Sequence, residues 1–310
     1  MPGPDSMPES SAAMYARLRA SGLIGRLLEL ARDEDLHPTR RDVTAHAMAL
    51  GSATGRFDIR FREQGVAAGL AAVPDVIDAF GVDVAFKPAA NDGDAVDQGS
   101  LGGTLAGERA EVVLIERTVL NLVGRLSGIA TRTAAFARAI EGTAAVVCDT
   151  RKTTPGLRAF EKYAVVCGGG TAHRFSLGDA VLIKDNHLAG LAPAELTTRL
   201  TDAAARARSF DPAPKFVEVE VDTLDQLDAV LAIKPGLIDF VLLDNFSTDD
   251  LREACARRTR SVSTPAFEAS GGVTLGTIRA IAETGVERIS VGGLTHQAVS
   301  LDVGLDAAGA

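Results

Sequence analysis

The sequence is poor in the features that mark secreted, membrane and zinc-binding proteins. Its three cysteines, Cys148, Cys167 and Cys255, are far apart and show neither CxxC nor zinc-ligand spacing. We therefore expect reduced thiols in a cytoplasmic protein. No stretch of 18 apolar residues runs without a charged one, and the N-terminal region has no apolar core of signal-peptide length. We expect neither a membrane span nor a membrane partner.

Basic residues are also in the minority. Lysine and arginine total 32 against 41 aspartates and glutamates, which gives a formal net charge of -9. Nucleic acids and anionic membrane surfaces are bound by basic surfaces, so we expect neither as a partner. The motifs HExxH and GxSxG are both missing from the sequence. Their absence argues against a zinc protease and against a serine hydrolase of the α/β type.

The cations that do occur are concentrated between Cys148 and His187. Two apolar runs, Ala144–Cys148 and Ala180–Ile183, lead directly into charged residues at 149–152 and 184–187. This pattern is typical of the carboxyl end of a parallel strand, where the active sites of α/β enzymes form. A cation cluster in an acidic protein suggests a small polyanionic ligand. The cationic and histidine side chains of this stretch are Arg151, Lys152, Arg158, Lys162, His173, Arg174, Lys184 and His187.

The pattern of the chain changes near residue 125. Before it, short strand-like runs alternate with helical segments such as Leu23–Asp35, which indicates an α+β layer domain. After Ile129, an apolar strand and then a helix recur six times, which predicts parallel βαβ units. A closed barrel or a doubly wound sheet fits these units; charged residues at nearly every strand end favour the barrel. The predicted strands are Ala144–Cys148, Ala180–Ile183, Phe216–Val221, Phe240–Leu243, Ala266–Ala269 and Arg288–Val291.

Carboxylates alternate with valines along one predicted strand. Glu218, Glu220 and Asp222 would share one face of it, about 6.6 Å apart. The face is either the exposed side of an edge strand or a face that points into a barrel mouth, where lysines or Mg²⁺ would offset the repulsion. Asp244, at the end of the next strand, offers a further oxygen ligand. Carboxylates together with substrate phosphates are the usual ligands of Mg²⁺.

Glycine pairs follow the last two predicted strands. Each of the segments Ser270–Gly272 and Gly292–Gly293 runs from a strand towards a predicted helix. The helix predicted after the first segment is Leu275–Thr284. Glycines let backbone N–H groups approach a phosphate, and the last two strands of a (β/α) barrel often form such a site. A tight turn alone would also require glycine, but two successive pairs favour a phosphate site.

A glycine run brings three of the cationic and histidine side chains together. Gly168–Gly170 ends a predicted helix and precedes His173 and Arg174. The turn would bring these two side chains beside Arg151. Arginine binds carboxylates with two parallel hydrogen bonds, so this group suits an aromatic ligand that carries carboxylates.

Residues 148–187 closely resemble the signature of the quinolinate phosphoribosyltransferase family, also called nicotinate-nucleotide pyrophosphorylase (carboxylating). The resemblance continues upstream through Glu116–Asn121 and Arg125–Thr131, and downstream through EVEVDTLDQLDAV, FVLLDNF, EASGGVTL and SVGGLTH. It covers residues 24–306 in order. Ala172 stands where the family commonly has asparagine.

The resemblance implies an N-terminal α/β sandwich joined to a C-terminal incomplete α/β barrel of six or seven strands, the type II phosphoribosyltransferase architecture. For this chain we predict a disordered tail over 1–22, the sandwich over 23–127 with 295–310 packed back on it, and the barrel over 128–294. Family members are dimers or hexamers whose active site is completed by a neighbouring subunit.

The implied reaction joins quinolinate to 5-phosphoribosyl pyrophosphate and releases pyrophosphate and CO₂, leaving nicotinate mononucleotide. The implied quinolinate ligands are Arg151, Lys152, His173, Arg174 and Lys184, with Arg117 supplied by the partner subunit. Lys152, Glu220 and Asp244 are the implied catalytic residues, and the last two would organise Mg²⁺ and the ribose. The implied ligands of the 5-phosphate are Ser270, Gly271, Gly272, Gly292 and Gly293.

The chemistry of this reaction matches the residues independently. Loss of pyrophosphate from ribose C1 passes through an oxocarbenium-like state, which requires anions near the sugar and cations around the leaving group. Two other functions fit the pattern less well. A related phosphoribosyltransferase-like protein with another acceptor, such as the molybdenum-transport-associated relatives, would lose parts of the carboxylate-binding set. A non-catalytic phosphate sensor would tolerate loss of Lys152, Glu220 or Asp244, and all three are present.

Overall fold

The structure is a computed structural model that describes residues 9–38, 41–50, 52–191 and 193–308. Its strands are β1 (Thr54–Phe61), β2 (Gly65–Val66), β3 (Val84–Pro88), β4 (Ala95–Val96), β5 (Leu101–Glu108), β6 (Val146–Cys148), β7 (Val181–Ile183), β8 (Val217–Val221), β9 (Phe240–Asp244), β10 (Ala266–Ser270), β11 (Arg288–Ser290) and β12 (Val303–Ala307). Its helices are α1 (Ser11–Ala20), α2 (Leu23–Leu36), α3 (Val43–Ala47), α4 (Val73–Phe80), α5 (Arg109–Ala139), α6 (Arg158–Cys167), α7 (Asp185–Leu188), α8 (Pro193–Arg208), α9 (Leu224–Leu231), α10 (Thr248–Arg260), α11 (Ile278–Ala282) and α12 (Gly293–His296). In the described part of the chain, no helix is long and apolar enough to cross a membrane.

These elements form two compact units. Unit 1 contains the described residues up to Ala134, Lys152–Gly170 and the described residues from Gly293 onward. Unit 2 contains Ala135–Arg151 and Thr171–Gly292. We expected a boundary between residues 127 and 128, whereas the two units divide between Ala134 and Ala135, inside the long helix α5. Helix α6, expected within the barrel, belongs to unit 1.

Unit 1 is built on an antiparallel sheet with the strand order β12-β1-β5-β3. The C-terminal strand returns to this sheet, where Val303 lies opposite Phe61 and Ala307 lies opposite Phe57. Ile59 and Phe61 of β1 are fully buried. The segment that we expected to pack back on the first domain therefore takes the form of an edge strand.

The predicted disordered tail is wrong for residues 11–20, which form α1; residues 1–8 lie outside the described part. Ser10 caps the helix by accepting a hydrogen bond from the Ala13 N–H at 3.2 Å. Met14, Tyr15 and Leu18 are buried along one face. Burial of side chains of this size contributes about 1.5–3 kcal/mol each, which offsets the weak helix preference of the flanking serines.

Unit 2 is built on a parallel six-stranded sheet with the order β6-β11-β10-β9-β8-β7. All six predicted strands are present, with ends that differ by at most two residues. All five residues of β8 are buried, as expected for a parallel strand covered on both faces. Among the described residues, β6 and β7 are not paired with each other, so the sheet is an incomplete barrel. Thr171 adds a parallel bridge to Cys148 at the β6 edge.

Candidate active site

The carboxyl ends of the parallel strands carry the candidate site of unit 2. The register places Glu220 of β8 beside Leu242 of β9, and Asp244 of β9 beside Ser270 of β10. Glu220 and Asp244 therefore lie on neighbouring strands at the same edge of the sheet. Asp222, which we expected on the carboxylate face of β8, lies beyond the end of that strand and is exposed.

Two predicted quinolinate ligands, Arg151 and Arg174, lie near each other. The Arg174 side chain is buried and donates to the Ala180 carbonyl at 3.3 Å. Burial and the neighbouring Arg151 guanidinium lower the pKa of Arg174, whereas Glu218 and Glu220 act in the opposite direction. The Nε of Arg151 is buried and has no hydrogen-bond partner among the described residues. Two guanidiniums in such a setting are stabilised by a carboxylate ligand between them.

Lys184 forms an ion pair with Glu220. Lys184 directly follows β7 and is partly exposed, whereas Glu220 on the adjacent strand is only 9% exposed. This ion pair supplies the cation that the buried carboxylate requires. It also joins a predicted quinolinate ligand to a predicted ribose ligand.

Asp244 and Glu220 fit the donor set that we predicted for Mg²⁺. Asp244 is partly exposed, and its Oδ2 accepts a hydrogen bond from the Asn245 side-chain amide at 2.7 Å. A pair of carboxylates at the edge of a sheet matches the usual mode of Mg²⁺ binding, in which one or two carboxylates and substrate phosphates provide the oxygens.

His173, another predicted quinolinate ligand, faces two buried carboxylates. Its ring is 6% exposed, and its Nε2 lies 2.9 Å from Oε2 of Glu218 and 3.3 Å from Oε2 of Glu268. Both glutamates are fully buried. They precede Glu220 and Ser270 by two residues, which places them about 6.6 Å below the edge of the sheet. These carboxylates occupy the Nε2 side of the ring and would repel an anionic ligand there.

Buried charges set the protonation of this cluster. Burial alone lowers the pKa of His173, but Glu268 and Glu218 outweigh it and raise this pKa to about 10. Burial and Glu268 raise the pKa of Glu218; the pKa of Glu268 is lowered despite burial, because His173 stabilises its ionised form. Arg288 adds a second cation 4.0 Å from Glu268.

The same three side chains have metal-ligand spacing, since their ligand atoms lie within 4.8 Å of one another. An imidazolium and the Arg288 guanidinium balance the two carboxylates without a metal ion. The guanidinium is also fixed by aromatic contacts, 3.6 Å from the ring centre of Phe240. The charges therefore favour a protonated histidine over a metal centre.

The two predicted phosphate segments differ in construction. Gly271 and Gly272 both have positive φ, at 93° and 58°. A Cβ on Gly271 would lie 2.2 Å from Oδ1 of Asn245, whereas a Cβ on Gly272 would meet nothing within 4 Å. Gly271 is thus required for packing, and Gly272 leaves open space for a ligand. The helix that we expected to begin at Leu275 begins at Ile278, so no helix starts directly after these glycines.

The remaining predicted ligands are divided between the two units. Gly292 belongs to unit 2 and is partly buried. In unit 1, Gly293 begins α12, and the Lys152 carbonyl accepts a hydrogen bond from the Thr295 hydroxyl at 2.7 Å. Arg117 is exposed on α5, as a residue that serves another subunit would have to be.

Comparison with known proteins identifies the chain. The family model "Quinolinate phosphoribosyl transferase, C-terminal domain" matches residues 129–306, and the corresponding N-terminal domain matches residues 42–127. The chain belongs to the quinolinate phosphoribosyl transferase family. The resemblance found in the sequence is thereby confirmed.

Relatives of this family member match it over most of its length. It is 43% identical to the nicotinate-nucleotide pyrophosphorylase [carboxylating] of Mycobacterium leprae over 269 residues, which are 86% of this chain and 90% of the relative. It is 34% identical to quinolinate phosphoribosyltransferase [decarboxylating] 1b of Nicotiana tabacum over 288 residues, 90% of this chain and 81% of the relative. The solved structure of the Francisella tularensis nicotinate-nucleotide pyrophosphorylase covers 92% of this chain and 95% of its own, with a TM-score of 0.80 and 33% identity.

The sequence did not predict three residues that shape the site of this family member. Asp149 is fully buried and accepts the His173 N–H at 2.8 Å, which fixes the backbone of that loop. Glu268 holds the His173 ring, and Asn245 fills the space beside Gly271. The role of Glu268 could have been predicted from the sequence. A charged residue between Phe267 and Ala269 in an apolar strand requires a buried partner.

Proposed function

We propose that this protein transfers the phosphoribosyl group of 5-phosphoribosyl pyrophosphate to quinolinate and releases pyrophosphate and CO₂. The product would be nicotinate mononucleotide. The observation that carries the proposal is the arrangement of Arg151, Arg174, Lys184 and Glu220. Two guanidiniums suit a pyridine dicarboxylate, and they lie near a buried carboxylate suited to a cationic sugar. The names of the two relatives, at 43% and 34% identity, support the same reaction.

The arginines would orient the substrate. Bidentate binding of carboxylates by Arg151 and Arg174 fixes the pyridine ring, so that its nitrogen lone pair is directed at ribose C1. The nitrogen–C1 bond forms as the bond from C1 to the pyrophosphate oxygen breaks, and that electron pair leaves with pyrophosphate. Glu220 would stabilise the positive charge that develops on the sugar, and Lys152 the negative charge on the leaving group.

Decarboxylation follows from the charge on the ring. The alkylated nitrogen is cationic, so it stabilises the electron pair left at the adjacent carbon when the C2 carboxylate departs as CO₂. A proton from solvent then completes nicotinate mononucleotide. No protein nucleophile takes part. Removal of water from the carboxylate by the buried Arg174 and the half-buried Arg151 favours its loss.

We propose that Mg²⁺ is the cofactor, held by Glu220 and Asp244 together with the phosphates of the co-substrate. When bound, it neutralises part of the pyrophosphate charge. The support is the pair of carboxylates on neighbouring strands. We also propose a homo-oligomer in which Arg117 serves the site of a neighbouring copy, and a cytoplasmic location in keeping with three cysteines outside any disulfide.

The test is an assay of the purified protein with quinolinate labelled with ¹³C in its 2-carboxylate, 5-phosphoribosyl pyrophosphate and MgCl₂. Mass spectrometry should show labelled CO₂ and unlabelled nicotinate mononucleotide in equal amounts, and EDTA should stop both. Nicotinate is the matched control acceptor, because it lacks the 2-carboxylate. Turnover of nicotinate or another pyridine without turnover of quinolinate would contradict the proposal and favour an enzyme with a different acceptor.

A further inference from the structure

We propose that Arg125 and Glu161 are positioning residues that hold two substrate-binding segments of unit 1, those of Lys152 and Gly293, in their reactive arrangement. The inference rests on the proposed function, in which Lys152 stabilises the pyrophosphate, and on the role in 5-phosphate binding that the family resemblance implies for Gly293. Neither Arg125 nor Glu161 is among the substrate ligands. Both act through the backbone of the segments that carry those ligands.

Arg125 binds the chain that follows Gly293. Its guanidinium lies on α5 and donates through Nη1 to the Ala298 carbonyl at 2.6 Å and through Nη2 to the Thr295 carbonyl at 2.8 Å. These carbonyls lie at the end of the short helix α12 and just beyond it. The planar fork of arginine can satisfy both at once, which fixes the orientation of the segment as well as its distance.

Glu161 binds the chain that follows Lys152. It is fully buried on α6, and its Oε1 accepts a hydrogen bond from Arg125 Nη2 at 2.8 Å. Its two oxygens also accept the Thr154 N–H and the Thr154 hydroxyl, each at 3.0 Å. One carboxylate thus connects the arginine to the backbone two residues beyond Lys152.

A third contact closes the circuit. The Thr295 hydroxyl donates to the Lys152 carbonyl at 2.7 Å. The contacts therefore form a closed circuit that runs through Arg125, Thr295, Lys152, Thr154 and Glu161 and returns to Arg125. Every link is a hydrogen bond except the one from Lys152 to Thr154, which is the chain itself. Movement of either substrate-binding segment breaks at least one bond of the circuit, and the buried carboxylate makes that break costly.

The surface of α5 is shaped for this contact. A Cβ on Gly124 would lie 2.8 Å from the Leu301 carbonyl, and a Cβ on Gly128 would lie 2.0 Å from the Val299 carbonyl. The Leu301 N–H donates to the Gly124 carbonyl at 2.9 Å. The segment after Gly293 therefore lies directly on the backbone of α5. One of its contacts is at Gly124, the residue next to Arg125.

The test compares Arg125→Lys and Glu161→Gln with Arg138→Lys, an exposed position on the same helix. Arg125→Lys keeps the charge but loses the fork, and Glu161→Gln keeps the shape. We expect each to lower kcat/KM for 5-phosphoribosyl pyrophosphate about 10- to 100-fold, since a misplacement of about 1 Å costs that much. Arg138→Lys should match the wild type. A fall in thermal midpoint with kcat/KM of the folded enzyme unchanged would overturn the inference.

A double-mutant cycle separates positioning from direct contact with substrate. Thr295→Val removes the hydroxyl bond to Lys152. If Arg125 acts through this circuit, Arg125→Lys in the Thr295→Val background should add much less than it does alone. Multiplicative losses would show that Arg125 acts independently of the circuit, and would overturn the inference.

A binding measurement separates this inference from the proposed function. If the wild type binds 5-phosphoribosyl pyrophosphate in a calorimeter but does not convert quinolinate, the proposed function fails. The inference is then decided by whether Arg125→Lys and Glu161→Gln raise the Kd for 5-phosphoribosyl pyrophosphate at least about 10-fold. A wild type that neither binds nor converts it would overturn both.

Discussion

His173 Nε2 lies 2.9 Å from Oε2 of Glu218, and both side chains are buried inside the parallel sheet of unit 2. We predicted from the sequence that His173 binds an anionic substrate, whereas in the structure one of its ring nitrogens faces two carboxylates. The prediction and the structure are compatible when the ring is an imidazolium at neutral pH. The two glutamates then stabilise its positive charge, and we expect Nδ1 to contact the substrate carboxylate.

Glu268→Gln should lower the pKa of His173 well below its value of about 10 in the wild type. Glu268 is the largest of the influences that raise this pKa, and burial alone lowers it. NMR titration of the ring Cε1 signal measures the change directly. Glu283→Gln, at an exposed glutamate of the same unit, is the control and should leave the titration unaltered. An unchanged midpoint in Glu268→Gln would show that the two side chains do not interact.

The same histidine should make stability depend on pH in the alkaline range. The folded-state pKa of about 10 lies above the ordinary value of 6.5, so the folded protein retains a proton that the unfolded chain loses. This contribution to stability is complete below about pH 6.5 and disappears as the pH rises through about 10. The slope between these values is at most about 1.4 kcal/mol per pH unit.

The measurement is urea denaturation from pH 6 to 10, with His173→Gln as the comparison. We expect the wild type to lose free energy of unfolding steadily across this window, and the variant to show a flatter profile. Equal slopes in the two proteins would place the titrating group elsewhere.

Gly271 and Gly272 should respond differently to alanine. Both have positive φ, which costs an L-residue about 1–2 kcal/mol. At Gly271 the added Cβ also collides with Asn245, 2.2 Å away, so Gly271→Ala should lower the free energy of unfolding further. Gly272→Ala has open space, so its effect should fall mainly on KM for 5-phosphoribosyl pyrophosphate. Urea denaturation and steady-state kinetics of the two variants test this; similar losses of stability in both would contradict it.

The parallel sheet was predictable because its signal is local. Each strand is an apolar run that ends in a charged or glycine-rich segment, as in Val181–Ile183 before Lys184. The alternation of glutamates with valines in β8 also predicted that Glu218 and Glu220 share a face. Asp222 was misplaced because periodicity does not show where a strand ends.

The missed features depend on distant contacts. Helix α1 was missed because its three apolar side chains are few, and their burial depends on partners such as Asp75, whose Oδ2 accepts the Tyr15 hydroxyl at 2.5 Å. The environment of His173 was missed because β8 and β10 each contribute one glutamate, from positions 50 residues apart in the sequence. The late start of α11 has a local cause, since the Thr274 N–H donates to the Thr277 hydroxyl at 3.0 Å and holds a turn there.

Mixing two inactive variants should restore activity if sites are shared between subunits. Arg117→Ala should abolish turnover without loss of fold, because Arg117 is exposed on α5. Lys152→Ala should do the same through the other half of the site. In random heterodimers one site of two would lack both changes, so co-expression should return about one quarter of wild-type activity. Mass spectrometry of the intact complex would verify the heterodimers. If they form and remain inactive, each subunit must complete its site with its own Arg117, or Arg117 has no part in the reaction.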